Sequence, residues 1–186
     1  MVTRRRVLAA GALLAPGAGI LLAGCGRTSS PGEGAPVSRT DVGTQVQGDI
    51  EVLNSVLDLE HTAVAAYVRG GSSRRTAAVL EQEREHVARL ERAVRDLGGR
   101  PAAARPPADY DFPPLAAAAA ALAYAERLEL TVVAAYLDAL PKLAKPELRA
   151  LAAELVAQDA AHLAVVRGGL GRPQAPDAFV VGEKAA

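Results

Sequence analysis

Residues 82–88 read Gln82-Glu83-Arg84-Glu85-His86-Val87-Ala88, and 76 positions later residues 158–164 read Gln158-Asp159-Ala160-Ala161-His162-Leu163-Ala164. Each stretch carries a carboxylate and, three residues on, a histidine, a spacing that puts both side chains on one face of an α-helix. A further glutamate precedes each stretch inside an apolar stripe, Glu60 before the first and Glu129 before the second. Four carboxylates and two imidazoles so spaced are what a four-helix bundle uses to hold two metal ions in its core. A single carboxylate-x-x-His would read as solvated helix surface; its repetition with the upstream glutamate points to a metal-binding bundle.

The flanking sequence has the period that such a bundle needs. From about Gln47, Leu53, Leu57, Glu60, Val64 and Tyr67 recur at intervals of four and three, so Glu60 falls in the seam of a first helix. The segment Arg69-Gly70-Gly71-Ser72-Ser73 ends it and caps a second, over about residues 73–98, with Leu80, Glu83, Val87, Leu90, Val94 and Leu97 on one face. Gly98-Gly99-Arg100-Pro101 stops that helix, and the prolines through Pro114 exclude another until about Leu115. Some 16 extended residues reach about 50 Å, against about 36 Å for a 24-residue helix. The connection can therefore cross the whole bundle. A third helix, about residues 115–140, sets Leu122, Glu129, Val133, Tyr136 and Leu140 inward; Pro146 opens a fourth, to about Gly168, with Leu148, Leu151, Leu155, Asp159, His162 and Val166.

The second hairpin copies the first. LNSVLDLEHTAVAAYV (residues 53–68) aligns without a gap on LAYAERLELTVVAAYL (residues 122–137), identical at eight of 16 positions, with Glu60 on Glu129 and Tyr67 on Tyr136. Two hairpins related by a pseudo-twofold axis bring the ligand-bearing positions together at mid-bundle. Four buried carboxylates need cations, because an ionised group in an apolar interior costs several kcal/mol, and no Arg or Lys occupies the seam positions. Two divalent ions would neutralise them. Carboxylate and imidazole together suit iron, with manganese as the alternative and zinc still open. Protonated carboxylates bonded to the histidines, or helices rotated to wet these groups, are the structural alternatives.

Composition agrees with one all-α domain. The chain has 186 residues, half of them hydrophobic, balanced charges of 21 against 21, and few aromatics, enough for one core and not for two. No basic surplus suggests a nucleic-acid partner. Residues 1–24 read as a signal peptide, with Arg4, Arg5 and Arg6 before an apolar stretch broken by Pro16 and glycines. Leu22-Ala23-Gly24-Cys25 resembles the lipobox of bacterial lipoproteins, in which the cysteine is lipidated; Cys25 is the only cysteine, so no intrachain disulfide can form. Thr3-Arg4-Arg5-Arg6-Val7-Leu8 resembles the twin-arginine motif, whose pathway carries folded proteins, although general secretion stays open. Removing residues 1–24 leaves 18 basic against 21 acidic side chains, a balance of −3. Residues 25–46, rich in Gly, Pro, Ser and Thr, read as a flexible tether, residues 47–182 as the bundle with a C-terminal extension, and residues 183–186 as a tail.

Over about residues 48–182 the chain resembles the ferritin-like superfamily, and within it the exported ferritin-like domain proteins that include the desiccation-related proteins. The resemblance is carried by Leu59-Glu60, Glu83-Arg84-Glu85-His86, Leu97-Gly98-Gly99-Arg100-Pro101, Asp111-Phe112-Pro113, Glu129 with Ala135-Tyr136, Asp159-Ala160-Ala161-His162, and Pro176-Asp177-Ala178-Phe179. It implies a ferritin-like bundle in which Glu60 and Glu129 are the single-helix carboxylates, and Glu83 and Asp159 bridge or chelate beside His86 and His162. Asp159 departs from the glutamate usual in the family and is one methylene shorter, which leaves open whether one metal or two is held. Glu126, one turn before Glu129, and Glu154 could substitute for Asp159 as ligands but read rather as exposed helix charges, His61 as a packing or surface residue, and Tyr67 and Tyr136 as core residues whose hydroxyls orient a ligand.

Two functions follow as expectations. In the first, a lipoprotein anchored through Cys25 to the outer face of the cytoplasmic membrane, in the bacterial cell envelope, binds two iron or manganese ions and oxidises iron or removes peroxide or dioxygen, as a ferroxidase-like di-iron oxidoreductase would. In the second, the bundle is a non-enzymatic envelope protein that protects under stress or binds a partner, with a structural metal or none. Pairing of two copies as a homodimer is left open.

Overall fold

A computed structural model describes residues 39–71, 73–177 and 179–183. The signal segment with Cys25 and the twin-arginine run, the tether up to residue 38 and the last three residues of the tail lie outside them. Four long helices make up the domain: α1 (Arg39–Arg69), α2 (Ala77–Asp96), α3 (Ala118–Ala139) and α4 (Pro146–Gly169). A single 3-10 turn, Pro107–Asp109, lies in the crossover, and no strand occurs among the described residues. No helix among them is long and apolar enough to cross a membrane.

The first helix is longer than its hydrophobic pattern. It begins at Arg39, with Asp41 in its first turn, rather than near Gln47, so residues 39–46 belong to α1 and not to the tether. The physical reason is that apolar periodicity reports burial, and this end of α1 is exposed: residues 41–45 are all exposed, Val42 by 48%. The acid beside the unsatisfied N–H groups supports the first turn instead.

At the start of α2, Ser73 and Thr76 bond reciprocally. The Ser73 N–H donates to Thr76 Oγ1 at 3.0 Å and the Thr76 N–H to Ser73 Oγ at 3.2 Å, the logic of a capping box. Just past the end of the helix stands Gly98 with a φ of 78°; its N–H reaches Arg95 O and the Gly99 N–H reaches Val94 O, each at 2.9 Å. This double bond satisfies carbonyls that a helix end otherwise orphans.

The crossover then runs along α1 to the opposite pole. Asn54 grips its start, donating from Nδ2 to Arg100 O at 3.1 Å and accepting the Ala102 N–H at 2.7 Å. Farther on, Arg105 donates to Thr62 Oγ1 at 2.9 Å, and Phe112 meets Tyr124 of α3 edge to face. Helix α3 thus starts beside the end of α1, where a Cβ on Gly70 would lie 2.9 Å from Ala121 Cβ. The return loop is fixed by buried Asp49 of α1, which accepts the Ala144 N–H at 2.7 Å, and Pro146 occupies the first turn of α4.

The core has two apolar layers. Leu57, Leu90, Val94, Val132, Tyr136 and Leu155 belong to the larger, and Tyr67, Val79, Leu80, Ala125 and Val166 to the smaller. On every helix the carboxylate of the repeated set falls between a residue of one layer and a residue of the other.

Candidate metal centre

All six residues of the repeated set converge in that middle layer. Glu60, Glu83, His86, Glu129, Asp159 and His162 are each at most 2% exposed. Their donor atoms form two groups, Glu60, Glu83, His86 and Asp159 in one and Glu83, Glu129, Asp159 and His162 in the other, with the atoms of each group within 4.8 Å of one another. Glu83 and Asp159 are common to both.

The short side chain of Asp159 reaches both histidines. Its Oδ1 lies 3.1 Å from His86 Nδ1 and 3.7 Å from His162 Nδ1. His86 Nδ1 is also 3.5 Å from Glu60 Oε1, and His162 Nδ1 is 2.8 Å from Glu83 Oε1. The two rings stack with centroids 5.4 Å apart and planes inclined by 18°.

The tyrosines tie the repeats to each other. Tyr136 on α3 donates to Glu60 Oε1 on α1 at 2.5 Å, and Tyr67 on α1 donates to Glu129 Oε1 on α3. Each phenol occupies one oxygen of its carboxylate and leaves Oε2 without a partner; Glu83 Oε2, both Asp159 oxygens and both His86 nitrogens are likewise buried and unsatisfied. A buried polar atom without a partner costs about 1–3 kcal/mol. The side chains that carry these atoms bring carboxylate oxygens and imidazole nitrogens within 4.8 Å of one another in each group, a donor set that fits a cation.

Electrostatics describe the same cluster. Burial and the neighbouring charges of Glu129 and Glu60 push the Glu83 carboxyl well above its ordinary range, and burial with the Asp159 charge does so for Glu129 against the opposing Tyr67 bond. Asp159 is pushed up to about 7, chiefly by burial. Burial pushes Glu60 up, but the His86 ring nearby, Glu83 and the Tyr136 hydroxyl outweigh it, so Glu60 alone of the four carboxyls moves down. Burial works against the charged form of His86, but Asp159 and Glu60 overcome it and hold the ring up at about 10; burial and the charge of His86 press His162 down to about 4. Carboxyls held this high want a proton or a metal ion in place of the water they lost.

Other expectations divide. His61 is buried and turned away from the cluster, its Nε2 3.2 Å from Ala102 O in the crossover, as a packing residue. Glu154 is exposed and pairs with Arg89 at 2.5 Å. Glu126 is not an exposed charge: it is 5% exposed and held by Arg167 at 2.8 Å and by Arg172. Its partners lie about 40 residues downstream, beyond the reach of a helical-face reading. Gln82 was also silent in the sequence; its Oε1 lies 2.8 Å from His162 Nε2, on another helix. The only signal for it was its place inside the repeated heptapeptide.

Known proteins agree on the fold. A family model for the ferritin-like domain matches residues 48–172. Among solved structures, the conserved hypothetical protein rv2844 from Mycobacterium tuberculosis superposes with a TM-score of 0.60 at 21% sequence identity, over 67% of this chain and 98% of that one. No curated protein matches. The match over most of the chain, on a four-helix bundle with this buried cluster, places the chain in the ferritin-like domain family.

Proposed function

We propose that this bundle holds two metal ions, iron by preference and manganese as the alternative, and uses them at the cell envelope to oxidise ferrous iron or to remove peroxide or dioxygen. The observation that carries the reading is the pair of four-residue groups sharing Glu83 and Asp159. Glu60 and His86 would serve one ion and Glu129 and His162 the other, with Glu83 and Asp159 between them. A redox-active metal supplies, when bound, the electron transfer to dioxygen or peroxide that no side chain here can perform.

The chain's own groups set the conditions. Four carboxylates match the charge of two divalent ions, and imidazole with carboxylate suits iron or manganese. Tyr67 and Tyr136 fix one oxygen of Glu129 and Glu60 and leave the second directed to the cluster. The apolar layers above and below keep bulk water out, which strengthens every charge interaction within. Export and lipidation at Cys25, with an anchor on the outer face of the cytoplasmic membrane, are part of the proposal and rest on the Leu22-Ala23-Gly24-Cys25 sequence.

Metal analysis of protein purified from cells is the direct test. About two iron or manganese ions per chain are expected, and they should be lost in a Glu83→Ala/Asp159→Ala variant. A folded protein that carries no metal, and whose thermal stability does not respond to Fe²⁺, would sink the reading. Cys25→Ser should release the protein from membranes, and unchanged retention would count against the lipid anchor.

A further inference from the structure

The two halves of the cluster differ in how their histidines are held. His162 is engaged at both ring nitrogens, Nδ1 at 2.8 Å from Glu83 Oε1 and Nε2 at 2.8 Å from Gln82 Oε1. His86 has carboxylates near Nδ1, Asp159 Oδ1 at 3.1 Å and Glu60 Oε1 at 3.5 Å, but nothing holds its far side: Nε2 is buried without a hydrogen-bond partner. The sequence repeat makes the contrast informative, because Gln158 stands in the second copy where Gln82 stands in the first. Symmetry would bring Gln158 to His86 Nε2. Instead Gln158 is exposed on α4 and His86 Nε2 is left alone.

An amide oxygen can only accept, so Gln82 Oε1 requires the proton of His162 to be on Nε2. The lone pair is then on Nδ1, which faces Glu83, Asp159 and Glu129. A ring fixed in tautomer and orientation by a partner behind it binds a metal without first paying for either; a ring with no partner at Nε2 must give up its alternatives on binding.

On this basis, and resting on the metal-binding reading above, we propose that Gln82 is a positioning residue that presets His162, so that the half-site of Glu129 and His162 takes the first metal ion and the half-site of Glu60 and His86 takes the second. The repeat makes the halves equivalent in ligand type, and Gln82 makes them unequal in affinity. Gln82 touches neither metal nor substrate; it acts through the imidazole.

The test is an anaerobic titration of the full chain with Co²⁺ alone, read by its visible ligand-field absorption. The native protein should bind in two resolved steps. Gln82→Leu should weaken the tighter step by about 10–100-fold, the usual consequence of losing a partner behind a ligating histidine, and so merge the two. Gln82→Glu, which keeps an acceptor oxygen, should restore the separation, and Gln158→Leu should leave both steps as they were. Because Gln82 and Gln158 are both exposed helix positions, helicity by circular dichroism should be the same in all four proteins. Two Co²⁺ ions bound in steps that Gln82→Leu does not change, or equal losses in the Gln82→Leu and Gln158→Leu variants, would overturn the role of Gln82 while leaving the metal site intact. No Co²⁺ binding by the native protein would overturn both.

Discussion

Tyr136 on α3 donates its hydroxyl to Glu60 Oε1 on α1 at 2.5 Å, and this bond joins the second copy of the helical hairpin to the ligand face of the first. Its counterpart, Tyr67 to Glu129, runs the other way. Two turns separate each tyrosine from the glutamate of its own helix, too far for a bond along one helix and right for one across the antiparallel neighbour. Removing the hydroxyl with Tyr136→Phe leaves a fully buried carboxylate oxygen without a donor. Urea denaturation should show a loss of about 1–3 kcal/mol with helicity unchanged. Equal stability of the variant and the native protein would show that the bond does not hold Glu60.

Asp159 belongs to both groups of donor atoms, so it should be needed for both ions. Asp159→Asn keeps the volume and removes the charge, and metal content by mass spectrometry should fall from about two ions per chain to one or none. Asp159→Glu should retain two. A variant Asp159→Asn that still held two ions would show that Glu83 alone joins the pair.

The titration of the cluster gives the metal-free protein an unusual pH dependence. Asp159 titrates near 7 instead of 3.8 and His86 near 10 instead of 6.5, while Glu83 and Glu129 also titrate well above 4.5. Each of these binds protons in the folded state that the unfolded chain has released, so each contributes stability that is lost as pH rises. His162, pressed down to about 4 from 6.5, and Glu60, also lowered, act in the opposite sense, but their contributions are complete once the unfolded histidine has lost its proton, by about pH 7.5. From about pH 7.5 to about 10 all remaining shifts have one sign. After chelation, the melting temperature should therefore fall across this range. With metal added back it should rise at neutral pH, because metal replaces those protons and binding releases them. A chelated protein whose melting temperature is flat from about pH 7.5 to about 10 would contradict the placement of these groups in one buried cluster.

What the sequence disclosed and what it hid follow from one physical distinction. Leu53, Leu57, Leu90 and Leu155 are spaced by the helical period because they are buried, so their pattern announced the bundle, and the six ligand positions stood out by interrupting that pattern. The start of α1 at Arg39 carried no such mark, because an exposed helix end has no buried face to be periodic. The reach of Asp159 to His86 depends on how far α4 stands from α2, a distance that no spacing within one helix encodes. Gln82 and Glu126 were hidden for the same reason, since their partners belong to other segments.

Glu126 supplies a last prediction, about the chain beyond α4. It is buried one turn before Glu129, yet it faces Arg167 and Arg172 rather than the cluster. Arg167 also donates from Nε to Pro173 O at 2.7 Å, so the carboxylate secures the turn from which the C-terminal segment runs back over α3. At the last of the described residues, the Glu183 N–H bonds to Leu130 O at 3.0 Å. The segment passes so close that a Cβ on Gly182, at φ 72°, would stand 2.4 Å from Ala134 N and Leu130 O. Glu126→Gln keeps the shape and removes the charge that both guanidiniums need. Amide hydrogen exchange should accelerate at Arg172 and Glu183, with a stability loss of about 1–3 kcal/mol, while bound metal stays at its native level. Loss of metal in Glu126→Gln at unchanged exchange in these amides would instead place Glu126 among the groups that serve the cluster.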